Sequence, residues 1–125
     1  MVVIGVDSSG HVKNPPIYVV AVRRSKRRGQ RVNTVYVSPQ RHEEYLRYVR
    51  EMNISHWFEK ISAILIFKAI LGFYYVGDSI NIDWDFLGKS RNYVERYLKK
   101  LFLIRFPRNP KLNNPNIMFI PARYS

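Results

Sequence analysis

Apolar positions run in short, alternating stretches over the first third of the chain and recur at helical spacing over the rest. Val2 to Asp7 is an apolar run closed by Ser8-Ser9-Gly10. Ile17 to Val22 is β-branched and aromatic and follows Pro15-Pro16, and Val32 to Val37 alternates before stopping at Ser38-Pro39. Period-2 runs bounded by glycine, proline and serine read as strands, and their short connections predict antiparallel neighbours.

The period then changes. Ser38 is a good helix cap with Pro39 at the first helical position, and Tyr45, Leu46, Val49 and Met52 follow on one face up to Asn53. A second helix is predicted from Ser55 to Gly72, where Trp57, Phe58, Ile61, Ile64, Leu65, Phe67, Ala69 and Ile70 cover most of the circumference, so it should be buried on more than one side. Ser79 to Phe86 reads as a fourth strand, with isoleucines alternating against Asn81, Asp83 and Asp85. Arg91 to Arg105 reads as a third helix with Val94, Tyr97, Leu98, Leu101 and Ile104 on one face and Arg91, Arg96, Lys99 and Lys100 on the other. A loop marked by Pro107, Pro110 and Pro115 precedes a last strand, Ile117 to Ile120.

The resulting order, β-β-β-α-α-β-α-β, is a meander followed by crossovers that add parallel strands beside the first. It predicts an α/β domain with a mixed five-stranded sheet in the order 3-2-1-4-5, strand 2 antiparallel, and helices packed on it. At 125 residues and 46% hydrophobic content, residues 1–125 are expected to be one domain with a real core.

Charge adds a partner. Lys and Arg number 21 against 9 Asp and Glu, a net +12. Such a field concentrates polyanions, and each neutralised phosphate releases counterions, so nucleic acid, DNA or RNA, is the expected partner. The density peaks between the second and third strands, where Arg23, Arg24, Lys26, Arg27, Arg28 and Arg31 are six basic residues in a stretch of nine. Like charges at this density cannot be buried together, so the tip should project onto phosphates or, in the blander alternative, only into solvent.

Several classes are excluded or disfavoured. No cysteine is present, which removes disulfides, thiolate zinc sites and cysteine nucleophiles. The apolar stretch from Ile61 to Val76 is broken by Ser62, Lys68 and Gly72 and is too short for a bilayer span, so no membrane association is expected. The amino terminus opens on a strand-like run rather than a leader, and a cytoplasmic location is expected.

The candidate chemistry lies in the carboxylates. Asp7 ends the first strand and Asp83 the fourth, so parallel neighbouring strands would set them side by side, and Asp85, two residues on, would share their side of the sheet. The alternative is that these aspartates satisfy loop amides. Asp78 is assigned to the Gly77-Asp78 turn, and Glu95, with basic neighbours, to an exposed ion pair.

Val6-Asp7-Ser8-Ser9-Gly10 and Ile82-Asp83, placed in this order of elements, resemble the ribonuclease H-like superfamily of ribonucleases H, integrases, transposases and junction resolvases, and within it the short archaeal members. The resemblance implies a divalent-metal-dependent nuclease with Mg²⁺ or Mn²⁺ on Asp7, Asp83 and an acid from the crossover helix. Glu43, Glu44, Glu51 and Glu59 are the candidates for that acid. Glu59 is preferred because the buried helix makes the return and its first turn lies nearest the strand ends, although a first-turn glutamate also suits the helix dipole. The implied catalytic set is then Asp7, Glu59, Asp83 and Asp85. One departure stands out: no acidic residue follows Glu95, whereas many catalytic members supply a last carboxylate from a carboxy-terminal helix. A catalytically inactive nucleic acid-binding module of the same fold therefore stands beside the nuclease, as does a protein-interaction module. Without that helix one sheet face should be poorly covered, so a homodimer is expected.

Overall fold

β1 (Val3–His11), β2 (Asn14–Ser25) and β3 (Gly29–Tyr36) form an antiparallel meander, and α1 (Pro39–Met52), α2 (Trp57–Leu71), β4 (Ser79–Asp83), α3 (Lys89–Arg105) and β5 (Asn116–Ile120) follow. The computed structural model describes residues 2–11, 14–83 and 89–120. The five strands make one sheet in the order β3-β2-β1-β4-β5. β4 joins β1 in parallel and β5 joins β4 in parallel, so β1 is the central strand and the sheet is mixed, as the order of elements predicts.

The β2–β3 ladder runs further than the apolar pattern indicates. Pairing continues through Arg23↔Arg31 and Arg24↔Gln30 to Ser25↔Gly29. Strand pairing needs only backbone groups, and alternation sends neighbouring arginines to opposite faces, so the charge is divided rather than concentrated. The turn is left with Lys26, Arg27 and Arg28. Ser25 Oγ accepts from the backbone N–H groups of Arg27 and Arg28 at 3.2 and 3.3 Å, and Gly29 takes the left-handed φ of 69° that closes the turn.

One face of the sheet is the core. Ile4, Val6, Val19, Ala21, Ile80, Ile82 and Ile117 point from the strands into a buried layer against α2, and Val94, Leu98 and Phe102 of α3 pack in beside it. α2 is buried around most of its girth, and Ala63, Ala69 and Ser62 keep its contact side small enough to sit close to the sheet. Ser62 Oγ satisfies itself on the Phe58 carbonyl at 2.7 Å. Asn33 Nδ2 donates to the Ala69 carbonyl at 2.9 Å and ties the β3 edge to the end of α2.

α1 begins as expected: Ser38 is the cap, its Oγ accepts from the Arg41 N–H at 3.2 Å, and Pro39 follows. Asn53 ends it in the left-handed conformation, with its N–H on the Arg50 carbonyl. α2 starts two residues later than predicted, because His56 adopts a left-handed φ of 53° and stacks on Tyr93 of α3 at 3.8 Å between ring centroids.

Candidate nucleic-acid interface and carboxylate pair

Asp7 and Asp83 are direct partners in the parallel β1–β4 ladder, in register behind Val3↔Ser79, Ile4↔Ile80, Gly5↔Asn81 and Val6↔Ile82. Adjacent strands lie about 4.8 Å apart, so the two backbones bring these carboxylates onto neighbouring positions of one face. Like charges directly opposite one another cost stability unless something offsets them. The face they share is the one away from the helices, because each follows a core residue, Val6 and Ile82, and alternation turns it outward.

No described helix packs on that face. A shallow depression of about 530 Å³ runs across it, lined by Asp7, Tyr18, Arg24, Asn81 and Asp83 among others. Gly5 forms part of its floor, and even a Cβ added there would meet nothing within 4 Å. Val3, Tyr18, Val32, Tyr36 and Met118 are all exposed.

Glu59 is not brought to the aspartates. It lies in the first turn of α2, on the helix-covered side, and its Oε1 accepts from the Ser90 hydroxyl at 2.9 Å, joining the starts of α2 and α3. The sheet stands between Glu59 and Asp7, since a strand cannot present Val6 and Asp7 to the same helix. Among the described residues, no group of three or more His, Asp and Glu is placed to hold a metal ion. Asp85 lies outside the described residues.

The basic hairpin divides into distinct roles. Arg23 is withdrawn from the tip: it is buried on the core face and paired with Asp78, with Nε to Oδ2 at 3.1 Å and Nη2 to Oδ1 at 3.2 Å. Arg31 donates from Nη1 to the Tyr75 hydroxyl at 3.0 Å, and the Arg28 guanidinium lies 4.3 Å from the centroid of the same ring. Tyr75 thus holds two exposed arginines on the helix side of the hairpin. Arg24, exposed on the other side, donates from Nε to Gln30 Oε1 at 2.9 Å, and Lys26 and Arg27 are exposed at the turn.

Sequence reasoning missed Tyr75 and the role of Asp78 as the partner of Arg23. Asp78 does shape the turn, accepting from the Tyr75 N–H at 2.9 Å, but no local pattern links position 78 to position 23. Glu95 is an i,i+4 partner of Lys99 at 3.6 Å, as its neighbours suggest. No described helix is long and apolar enough to cross a membrane. Compared with known proteins, the chain matches no protein-family model and no curated protein.

Proposed function

We propose that this protein binds nucleic acid through the basic end of its β2–β3 hairpin, on a domain of ribonuclease H-like type. One observation carries the reading: Arg24, Lys26, Arg27, Arg28 and Arg31 are all exposed at the end of one hairpin, and no acidic residue occurs anywhere between Asp7 and Glu43. Fixed cations on a rigid ribbon meet phosphates without the entropic cost of ordering a loop, and the net +12 of the chain steers the encounter.

The test is a salt titration of binding to labelled single-stranded and duplex oligonucleotides, read by fluorescence anisotropy. Affinity should fall steeply with salt, and neutralising Lys26, Arg27 and Arg28 to glutamine should flatten the slope of log K against log salt by about 0.9 for each phosphate that the variant no longer neutralises. Binding that is absent, or indifferent to both salt and these substitutions, refutes the reading.

The register of Asp7 with Asp83 favours a second reading, divalent-metal-dependent cleavage of the bound strand. The two carboxylates suit one Mg²⁺ or Mn²⁺, which is often held by one or two carboxylates with water completing the shell. They do not suit a two-metal pair, because Glu59 is engaged on the other side of the sheet. A bound cation would supply charge to a scissile phosphate; the chain's own part is to hold the two oxygens on rigid neighbouring strands. Mn²⁺ should raise the melting temperature of the protein, Asp7→Asn should abolish that rise, and the same substitution should remove any cleavage of a labelled oligonucleotide. A melting temperature unmoved by Mn²⁺ would leave the binding reading alone.

A further inference from the structure

We propose that the open face of the β2–β3 ribbon is a stacking platform for single-stranded nucleic acid, with Tyr18 and Tyr36 as the base-contacting pair. The inference rests on the nucleic-acid reading above and specifies which form of nucleic acid the site takes.

Tyr18 and Tyr36 are direct partners in the β2–β3 ladder, so both rings leave the same face of the sheet from positions whose Cβ atoms lie about 5 Å apart. They are 41% and 63% exposed, on the face that no described helix covers. Two aromatic side chains held side by side on a rigid strand pair, and left in water, present a surface that every unstacked base can use, since each base has a π-face. A duplex keeps its bases stacked on each other and gains nothing from such a surface.

The surroundings fit a strand of phosphates rather than a second copy of the chain. From the tyrosine pair, the same face continues through Val20·Thr34 and Val22·Val32 to Arg24·Gln30, six residues or about 20 Å along the ribbon. Beyond Arg24 the ribbon ends in a turn that exposes Lys26 and Arg27. Stacking at one end and cations at the other is the pairing of features that sequence-tolerant binders of single strands combine. A second copy seated on this face would instead bring another chain of net +12 against the first and add repulsion. The depression on this face is lined by Tyr18 and Arg24 and also by Asp7 and Asp83, so it joins the stacking end of the ribbon to the carboxylate pair.

The experiment compares a labelled oligothymidylate with its duplex on oligoadenylate, at one salt concentration, for the unchanged protein and for Tyr36→Ala, Tyr18→Ala and Tyr36→Phe, with sedimentation on the same samples. Tyr36, the more exposed of the two and on the edge strand, is the substitution that leaves the fold intact, and circular dichroism melting checks this. Each alanine variant should weaken single-strand binding by about five- to hundred-fold while duplex binding stays level, and Tyr36→Phe should retain the affinity. If the alanine variants bind the oligothymidylate as tightly as the unchanged protein, or lose both forms equally, the platform is refuted while the basic-hairpin reading stands. If the unchanged protein binds neither form, both fall. A dimer that Tyr36→Ala dissociates without change in oligonucleotide affinity assigns the face to a second copy and overturns the proposal.

Discussion

Arg23 and Asp78 meet in a two-pronged ion pair, Nε to Oδ2 at 3.1 Å and Nη2 to Oδ1 at 3.2 Å, with side chains only 6% and 3% exposed. The pair spans the central strand: Arg23 stands opposite Ile4 of β1, Ile4 opposite Ile80 of β4, and Asp78 lies just before β4. It therefore clamps the meander to the parallel half of the sheet. The Tyr75 ring, 4.6 Å from the Arg23 guanidinium, closes one side of it.

Removing one partner should be costly, because the other charge stays buried without compensation. Arg23→Ala is expected to destabilise the fold by about 3–5 kcal/mol, whereas Arg23→Met combined with Asp78→Leu should recover most of that stability. Urea unfolding followed by circular dichroism measures both. A cost below about 1 kcal/mol for Arg23→Ala would mean that the pair does not hold the two halves together.

Phe102 is the largest fully buried side chain and sits among Phe67 at 5.1 Å, Tyr74 at 5.0 Å and Phe106 at 6.4 Å between ring centroids. Phe102→Ala leaves a cavity in the layer that joins α3 to α2. A cost of about 3–5 kcal/mol is expected in the same unfolding assay, with Phe102→Leu well below it.

Gly5→Ala should act in the opposite direction. Gly5 has no left-handed φ, and an added methyl meets nothing within 4 Å. Restricting the unfolded chain should then stabilise the protein by about 0.4–1 kcal/mol. Any destabilisation measured by thermal melting would show that the floor of the depression is tighter than the geometry indicates.

Alkaline conditions should weaken the fold. Burial raises the Tyr45 phenol above the ordinary 10.0, helped by Tyr97 and Tyr48, and burial raises Tyr74 likewise, helped by the Asp78 carboxylate. The folded state thus holds these protons more tightly than the unfolded chain, so their contribution is whole below pH 10.0 and is lost as pH rises through the raised folded values. Urea midpoints should decline from about pH 10 upward. Tyr45→Phe and Tyr74→Phe should each make that decline shallower, and an unchanged slope in both would contradict the assignment.

The eight elements, their order and the strand arrangement were legible in the chain alone, because period-2 and helical spacing are local properties and the connections leave few ways to join them. So was the closeness of Asp7 to Asp83, since both end strands that the topology sets side by side. The alternation of Ile4, Val6 and Asp7 even carried the information that Asp7 turns away from the helices, and so away from Glu59. The pairings between remote positions, in contrast, emerged only from the packed fold: Arg23 with Asp78, Arg28 and Arg31 with Tyr75, and Glu59 with Ser90. A long polar side chain can reach any of several partners, and which one it takes depends on where the packed backbone brings the other end. The basic stretch shows this most clearly. Its charge could be read residue by residue, while its division into one buried clamp and several exposed cations followed from the sheet continuing through it.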